Sequence, residues 1–159
     1  MLTDDKRRYM HAAIQKAEEN FKSGNGGPFG AVVVRNGEIV AVAGNCVTST
    51  NDPTAHAEVV AIREACKKLK TFDLSGCEIY ASCEPCPMCL SAVMWARIGK
   101  LYYAADRADA SRAGFDDELF YIELALPADQ RNLVPIQLMQ EDAVKVFDKW
   151  VETTDKIPY

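Results

Sequence analysis

Long apolar runs are missing from this chain of 159 residues, and so is an excess of basic charge. No stretch approaches the roughly 20 consecutive apolar residues that a membrane-spanning helix requires. The first eight residues, MLTDDKRR, lack the apolar core of a secretory signal. We therefore expect a cytoplasmic protein that has no membrane partner.

Basic residues are too few for a nucleic-acid-binding surface. Lys and Arg number 18 against 23 Asp and Glu, which gives a formal net charge of −5. Sequence-independent binding to nucleic acid depends on a cationic surface that displaces counterions. Residues 141–159 are acidic as well, with five carboxylates against three lysines. We therefore expect no nucleic-acid partner.

Histidine is scarce, whereas cysteine is not. His11 and His56 are the only two histidines, so a histidine-rich metal site is excluded. Six cysteines lie at positions 46, 66, 77, 83, 86 and 89. A cytoplasmic chain of this length can bury a core without disulfides. Clustered cysteines in such a chain indicate a metal site or catalysis.

The hydrophobic pattern predicts one α/β domain over residues 1–159. Helices are expected at residues 4–22, 55–69, 87–96, 116–124 and 141–152, and strands at 29–35, 38–43, 77–82, 100–105 and 135–139. Asn36 and Gly37 separate the first two strands and form a strong type I′ hairpin signal. These elements predict an α/β sandwich with a mixed central sheet of about five strands.

Two short segments carry residues suited to catalysis, TAHAE at 54–58 and CEPCPMC at 83–89. His56, Cys86 and Cys89 offer one imidazole and two thiolates, a donor set suited to Zn²⁺. Three protein ligands leave the fourth tetrahedral position open, as a catalytic zinc requires. Glu58 follows His56 by two residues and can move protons without binding the metal. The pairing of H-x-E with P-C-x-x-C is the signature of zinc deaminases.

Two other interpretations of the cysteines stay open. Cys83, Cys86 and Cys89 resemble part of an iron–sulfur run, but the ferredoxin spacing would put the next ligand near position 93, which is Val93. A structural zinc site would use Cys83 as its fourth ligand and would leave Glu58 without a role. In the catalytic interpretation, Cys83 packs behind the ligands.

Taken together, these segments resemble the cytidine deaminase superfamily and, within it, the bacterial guanine deaminases. The resemblance covers nearly the whole chain and is carried by GGPFGAV (26–32), NDPTAHAE (51–58), SCEPCPMC (82–89), AGFDD (113–117) and the final Tyr159. It implies a three-layer α/β/α cytidine-deaminase-like fold with one zinc ion per subunit. It also implies a homodimer in which the C-terminal segment, about 140–159, is swapped onto the partner.

The same resemblance implies hydrolytic deamination of guanine, a small purine base, to xanthine and ammonia. Zinc hydroxide would attack C2 of the purine, and Glu58 would shuttle protons. The residues that the resemblance places around the base are Asn45, Asp117, Tyr159, Phe29, Trp95 and Ala57. Three alternatives remain: the same chemistry on guanosine, cytosine or ammeline; tRNA adenosine deamination, which the acidic charge disfavours; and a zinc-binding module without catalysis.

Overall fold

The structure, a computed structural model, describes residues 3–159 and divides into two compact units. The first unit ends at Asp117, and the second is Glu118–Tyr159. A single domain over residues 1–159, with residues 140–159 swapped onto a partner, stays a prediction. Met1 and Leu2 lie outside the described residues.

The first unit contains the sheet, and most of its elements begin and end within two residues of the predicted positions. In chain order they are α1 (Asp4–Lys22), β1 (Gly30–Arg35), β2 (Glu38–Gly44), α2 (Val47–Thr50), α3 (Ala57–Leu69), β3 (Cys77–Cys83), α4 (Pro87–Trp95), β4 (Lys100–Ala105) and α5 (Arg107–Arg112). The second unit contains α6 (Glu118–Ala125), a 3-10 turn (Ala128–Gln130) and α7 (Gln140–Glu152).

The sheet is mixed and has the strand order β2-β1-β3-β4. Strand β1 pairs antiparallel with β2 and with β3, whereas β3 and β4 are parallel. Successive side chains of a strand point to opposite faces. Val32 therefore packs with Tyr9 and Ala13 of α1, while Val33 belongs to the cluster formed with Ala61 of α3 and with α4. Helices cover both faces, which confirms the three-layer sandwich.

The hairpin of β1 and β2 forms as the sequence predicts. Asn36 and Gly37 have φ values of 52° and 79°, the pair of positive angles that a type I′ turn requires. The resulting register places Gly30 opposite Gly44. The start of β1 and the end of β2 therefore lie side by side, and Asn45 follows directly.

The expectation of about five strands is wrong, because the sheet has four. Residues 135–139 are exposed and pair with no strand among residues 3–159. A strand is stable only beside a neighbour, and Pro135 has no N–H to donate. Apolar residues alternate here as they do in a strand, but no neighbouring strand is present in the described part of the chain for residues 135–139 to pair with.

Two short helices are absent from the sequence-based prediction. Helix α2 lies within a stretch that reads as a polar loop, and α5 begins with a capping box between Asp106 and Asp109. The helices of residues 3–159 include none with both the length and the apolar character to cross a bilayer.

We expect Gly30→Ala to lower the free energy of unfolding by about 1–3 kcal/mol, because β1 begins where α1 leaves no room for a side chain. A Cβ at Gly30 would lie 2.2 Å from the carbonyl oxygen of Ala13 and 2.7 Å from the nitrogen of Ala17. Both atoms belong to helix backbone, which yields less readily than a side chain. Urea denaturation of the zinc-loaded protein measures the change. The matched control is Gly99→Ala, since nothing lies within 4 Å of a Cβ at Gly99; equal losses from the two variants would contradict the prediction.

Candidate active site

A hydrogen-bonded turn delivers His56 to the start of α3. Asp52 Oδ1 accepts from the N–H and the hydroxyl of Thr54, at 2.8 and 2.6 Å. The Arg63 guanidinium lies 3.3 Å from both Asp52 Oδ2 and Thr54 Oγ1. The Thr54 donors and then Arg63 hold the pKa of Asp52 below its usual value. This turn explains the NDPTAHAE motif, because it fixes His56 as the N-cap of α3.

Helix α4, like α3, begins at a predicted metal ligand that serves as its N-cap. Cys86 is the N-cap, and its carbonyl accepts from the N–H of Leu90 at 2.9 Å. Pro87 occupies the first helical position, where a missing N–H costs nothing. Cys89 lies in the same first turn and is buried, so both sulfurs lie at the start of the helix.

The three predicted ligands form one cluster. His56 Nδ1 lies 3.4 Å from Cys89 Sγ and 3.7 Å from Cys86 Sγ, and the three donor atoms all lie within 4.8 Å of one another. Zn–S bonds of about 2.3 Å and a Zn–N bond of about 2.1 Å in a tetrahedron require donors about 3.5–3.8 Å apart. The described donors fit zinc in chemical type, and both nitrogen–sulfur separations are close to these values.

The thiols of the cluster differ in their affinity for protons. Hydrogen bonds from Cys89 and His56 lower the pKa of Cys86 to about 4 despite its burial. The pKa of Cys89 is raised, because its thiol is hydrogen-bonded to the Cys86 thiolate and because it is buried. The two thiols thus share one proton, and zinc binding would release it.

Cys83 does not join the cluster. Its sulfur lies 3.7 Å from the carbonyl oxygen of Asp106. Burial first, and then the charge of Glu58, raise its pKa to about 11. The group of described side chains whose donor atoms lie within 4.8 Å of one another contains His56, Cys86 and Cys89 without Cys83, so the structure favours three protein ligands over four.

Glu58 lies beside the cluster and outside it. Glu58 is 8% exposed, and its Oε2 lies within hydrogen-bonding distance of Cys89 Sγ, at 3.5 Å. Burial raises its pKa above the usual value. Glu58 does not belong to the group of candidate ligands. A buried carboxyl beside such a group can exchange protons with a water or substrate that reacts there.

Asn45 is held in one orientation at the end of β2. Its Oδ1 accepts from the N–H of Val47 at 3.1 Å and from the N–H of Gly27 at 3.4 Å. Two backbone donors fix which end of the amide is oxygen. The Nδ2 group makes no hydrogen bond to any residue from 3 to 159, so it can donate to a ligand. Ala57 is fully buried between His56 and Glu58, and its role in substrate binding stays a prediction.

Asp117 and Phe29 are two further predicted base contacts that belong to the first unit. Burial first, and then the charge of Cys86, raise the pKa of Asp117, and its contact with the base stays a prediction. Phe29 packs edge-on against Phe115, with 4.8 Å between ring centroids. Both rings line a cavity of about 330 Å³ that Cys83 also lines. Phe115 has no predicted role, and the AGFDD motif is the sequence signal that contains it.

Trp95 and Tyr159 are not brought to the cluster within the first unit. Trp95 ends α4, six residues after Cys89, which is about 9 Å along the helix axis, and 69% of its surface is exposed. Tyr159 belongs to the second unit. Their contacts with the base stay predictions.

Comparison with known proteins identifies related sequences and structures. The family described as "Cytidine and deoxycytidylate deaminase zinc-binding region" matches residues 3–105. Guanine deaminase of Bacillus subtilis is 46% identical over 151 residues, which are 95% of this chain and 97% of that protein. Its crystal structure has a TM-score of 0.93, covering 96% of this chain and 98% of that one.

Two other similarities are more distant. A structure of guanine deaminase from Nitrosomonas europaea is 33% identical, with a TM-score of 0.67 over 74% of this chain and 66% of that one. The tRNA-specific adenosine deaminase of Aquifex aeolicus is 44% identical over 100 residues, 63% of this chain and 66% of that protein.

Replacing one ligand thiol tests the three-ligand site. We expect Cys86→Ser to reduce bound zinc from about one ion per chain to a small fraction, because thiolate ligands dominate the affinity. Metal analysis after gel filtration measures the content. Cys83→Ser is the control and should keep its zinc. Loss of zinc from Cys83→Ser would instead indicate a four-ligand structural site.

Proposed function

Because the chain belongs to the cytidine and deoxycytidylate deaminase zinc-binding family, we propose that its cluster serves hydrolytic deamination, and that the substrate is guanine. The products are xanthine and ammonia. The observation that carries this function is the match to a guanine deaminase over nearly the whole of both chains, in sequence and in structure. The similarity to tRNA adenosine deaminases is weaker and covers less of the chain.

His56, Cys86 and Cys89 would hold the zinc ion. Bound zinc supplies Lewis-acid chemistry that makes water nucleophilic near neutral pH. Glu58 does the proton transfer. Its carboxylate accepts a proton from water as oxygen adds to C2 of guanine, and it returns a proton to the exocyclic nitrogen as the C2–N bond breaks. One water is consumed and one ammonia leaves, so Glu58 ends as it began.

The base is held by groups outside the ligand cluster. Asn45 presents its Nδ2 to an acceptor on the purine ring, since its Oδ1 is occupied by backbone donors. Asp117 provides an acceptor for the N–H groups on the other edge of the base. Phe29, backed by Phe115, provides an aromatic wall. A flat neutral base needs this kind of site, with a few polar groups on an apolar wall.

We propose further that the enzyme is a homodimer whose C-terminal segment, about 140–159, crosses to the partner and places Tyr159 over its pocket. No residue of Glu118–Tyr159 is buried, and its exposed apolar side chains include Leu133, Ile136, Leu138 and Phe147. Apolar surface of this extent indicates a missing protein contact. Six free thiols, among them the zinc ligands, fit the reducing cytoplasm.

Replacing the proton-transferring carboxyl tests the mechanism. We expect Glu58→Gln to retain zinc and fold and to lose about 10²-fold or more of kcat, because the amide cannot carry the proton. Xanthine formation at 25 °C measures the rate. Glu64→Gln, on an exposed position of the same helix, is the matched control and should keep the wild-type rate.

The substrate is tested in the same assay with wild-type protein. Ammonia release should be fastest from guanine among guanine, guanosine, cytosine, adenine and ammeline. Zinc-loaded protein that releases no ammonia from guanine would overturn the proposed function, and unchanged activity in Glu58→Gln would favour a zinc-binding module.

Mixing two inactive chains tests the swapped segment. One chain carries Glu58→Gln, and the other ends at residue 152 and so lacks Tyr159. In a swapped heterodimer, the intact tail of the first chain completes the intact site of the second. Coexpression should therefore restore about a quarter of wild-type activity, because half of the dimers would be mixed and each would hold one working site. No recovery in mixed dimers confirmed by mass spectrometry would exclude the swap.

A further inference from the structure

Asn20 is a buried polar residue to which the proposed mechanism gives no task. Three polar side chains are buried among the described residues: Asn20 is 3% exposed, Asn45 7% and Glu58 8%. Glu58 and Asn45 have proposed roles in proton transfer and base binding. Asn20 lies near the end of α1, three residues after Ala17 on its buried face.

Both hydrogens of the Asn20 amide are engaged. Nδ2 donates to the carbonyl oxygen of Asn45 at 2.8 Å and to that of Gly27 at 2.9 Å. The Asn20 carbonyl also accepts from the N–H of Asn25 at 3.3 Å. Asn20 thus connects α1 both to the glycine-rich loop between α1 and β1 and to Asn45, which follows β2.

Backbone groups of Gly27 and Phe29 also hold Asn45 in place. Gly27 accepts from Asn20 through its carbonyl and donates through its N–H to Asn45 Oδ1. The N–H of Asn45 donates to the carbonyl oxygen of Phe29 at 3.1 Å. Main chain and side chain of Asn45 are therefore bound on three sides, and the amide is presented with its Nδ2 as the remaining donor.

Two glycines make the close contacts of this arrangement possible. A Cβ on Gly44 would lie 2.2 Å from Asn20 Oδ1, and a Cβ on Gly26 would lie 2.2 Å from the carbonyl oxygen of Asn45. Neither position leaves space for a side chain. The two asparagines are consequently packed against backbone, which restricts their rotation.

We infer that Asn20 is a positioning residue for base recognition, since it holds Asn45 and the glycine-rich loop in the orientation that receives the purine. The inference rests on the proposed function, because it requires that Asn45 contact guanine. A donor that is already held rigidly loses less conformational entropy when the base binds, so binding costs less free energy. The metal ligands and Glu58 lie on α3 and α4 and have no bond to Asn20, so zinc binding and the chemical step are independent of it.

The test replaces the donor while keeping the shape of the side chain. Asn20→Asp removes both donated hydrogen bonds and sets an acceptor against two carbonyl oxygens. We expect the KM for guanine to rise about tenfold or more, with kcat within about threefold of wild type and zinc content unchanged. Gln15→Ala, which removes an exposed amide from the same helix, is the control and should leave both parameters unchanged.

A double-mutant cycle with Asn45→Ala separates positioning from general structural support. Asn45→Ala should itself raise the KM, and adding Asn20→Asp should raise it little further, because the positioned group is already gone. Folded Asn20→Asp protein with a wild-type KM, or an effect that multiplies fully with that of Asn45→Ala, would overturn the inference.

Two further outcomes are decisive. If Asn20→Asp does not accumulate as folded, zinc-loaded protein, Asn20→Ala takes its place, because it removes the donors without adding a charge; failure of both overturns positioning in favour of a purely structural role. An unchanged KM in Asn45→Ala would overturn the inference together with the base contact, while guanine deamination by the wild type would still stand. Absence of guanine deamination by the wild type would instead overturn the proposed function.

Discussion

The first residues of α3 and α4 meet at one point, where His56 lies beside Cys86 and Cys89. The rest of the structure depends on this constraint. His56 and Cys86 are separated by 30 residues, yet both are N-caps, on helices that cover the same face of the sheet. An N-cap has extended backbone angles, so its side chain remains at the tip while the chain turns into the helix. The strand order β2-β1-β3 puts the two tips side by side, because α3 follows β2 and α4 follows β3. The ligands, far apart in sequence, are therefore brought together by the arrangement of the sheet.

Buried polar residues are few in the described part of the chain, namely Asn20, Asn45 and Glu58. A buried amide or carboxyl costs free energy unless it is hydrogen-bonded. Elsewhere the core is apolar, and the stripe of Ala57, Ala61 and Ala65 lets α3 lie close to the sheet. Asn20, Asn45 and Glu58 interrupt this pattern, and each of them is hydrogen-bonded. A dry environment with few and fixed polar groups strengthens each electrostatic contact with a bound base.

The sequence predicts those parts of the molecule that depend on local chemistry. Asn36 and Gly37 determine the hairpin, and the spacing of Cys86 and Cys89 determines the half-site on α4, because both are properties of single turns. The segment 135–139 could not be predicted in this way, since a strand exists only with a partner. The capping residues Asp106 and Asp109 are a readable signal for α5. Asn20 occupies the apolar stripe of an amphipathic helix, and a polar residue in that position is the signal for a buried hydrogen-bonding role.

The chemistry and the choice of substrate are carried by different parts of the chain. The ligands and Glu58 lie on α3 and α4, whereas the proposed base contacts come from the glycine-rich loop, Asn45, Asp117 and the C-terminal segment. Loops and termini can therefore change the substrate while the ligand cluster stays the same, which agrees with the similarity of this chain to both guanine and tRNA adenosine deaminases. The charge of residues 141–159, five carboxylates against three lysines, bears on the choice between these substrates. Such a segment repels phosphates but does not oppose a neutral base, so its charge favours the smaller substrate.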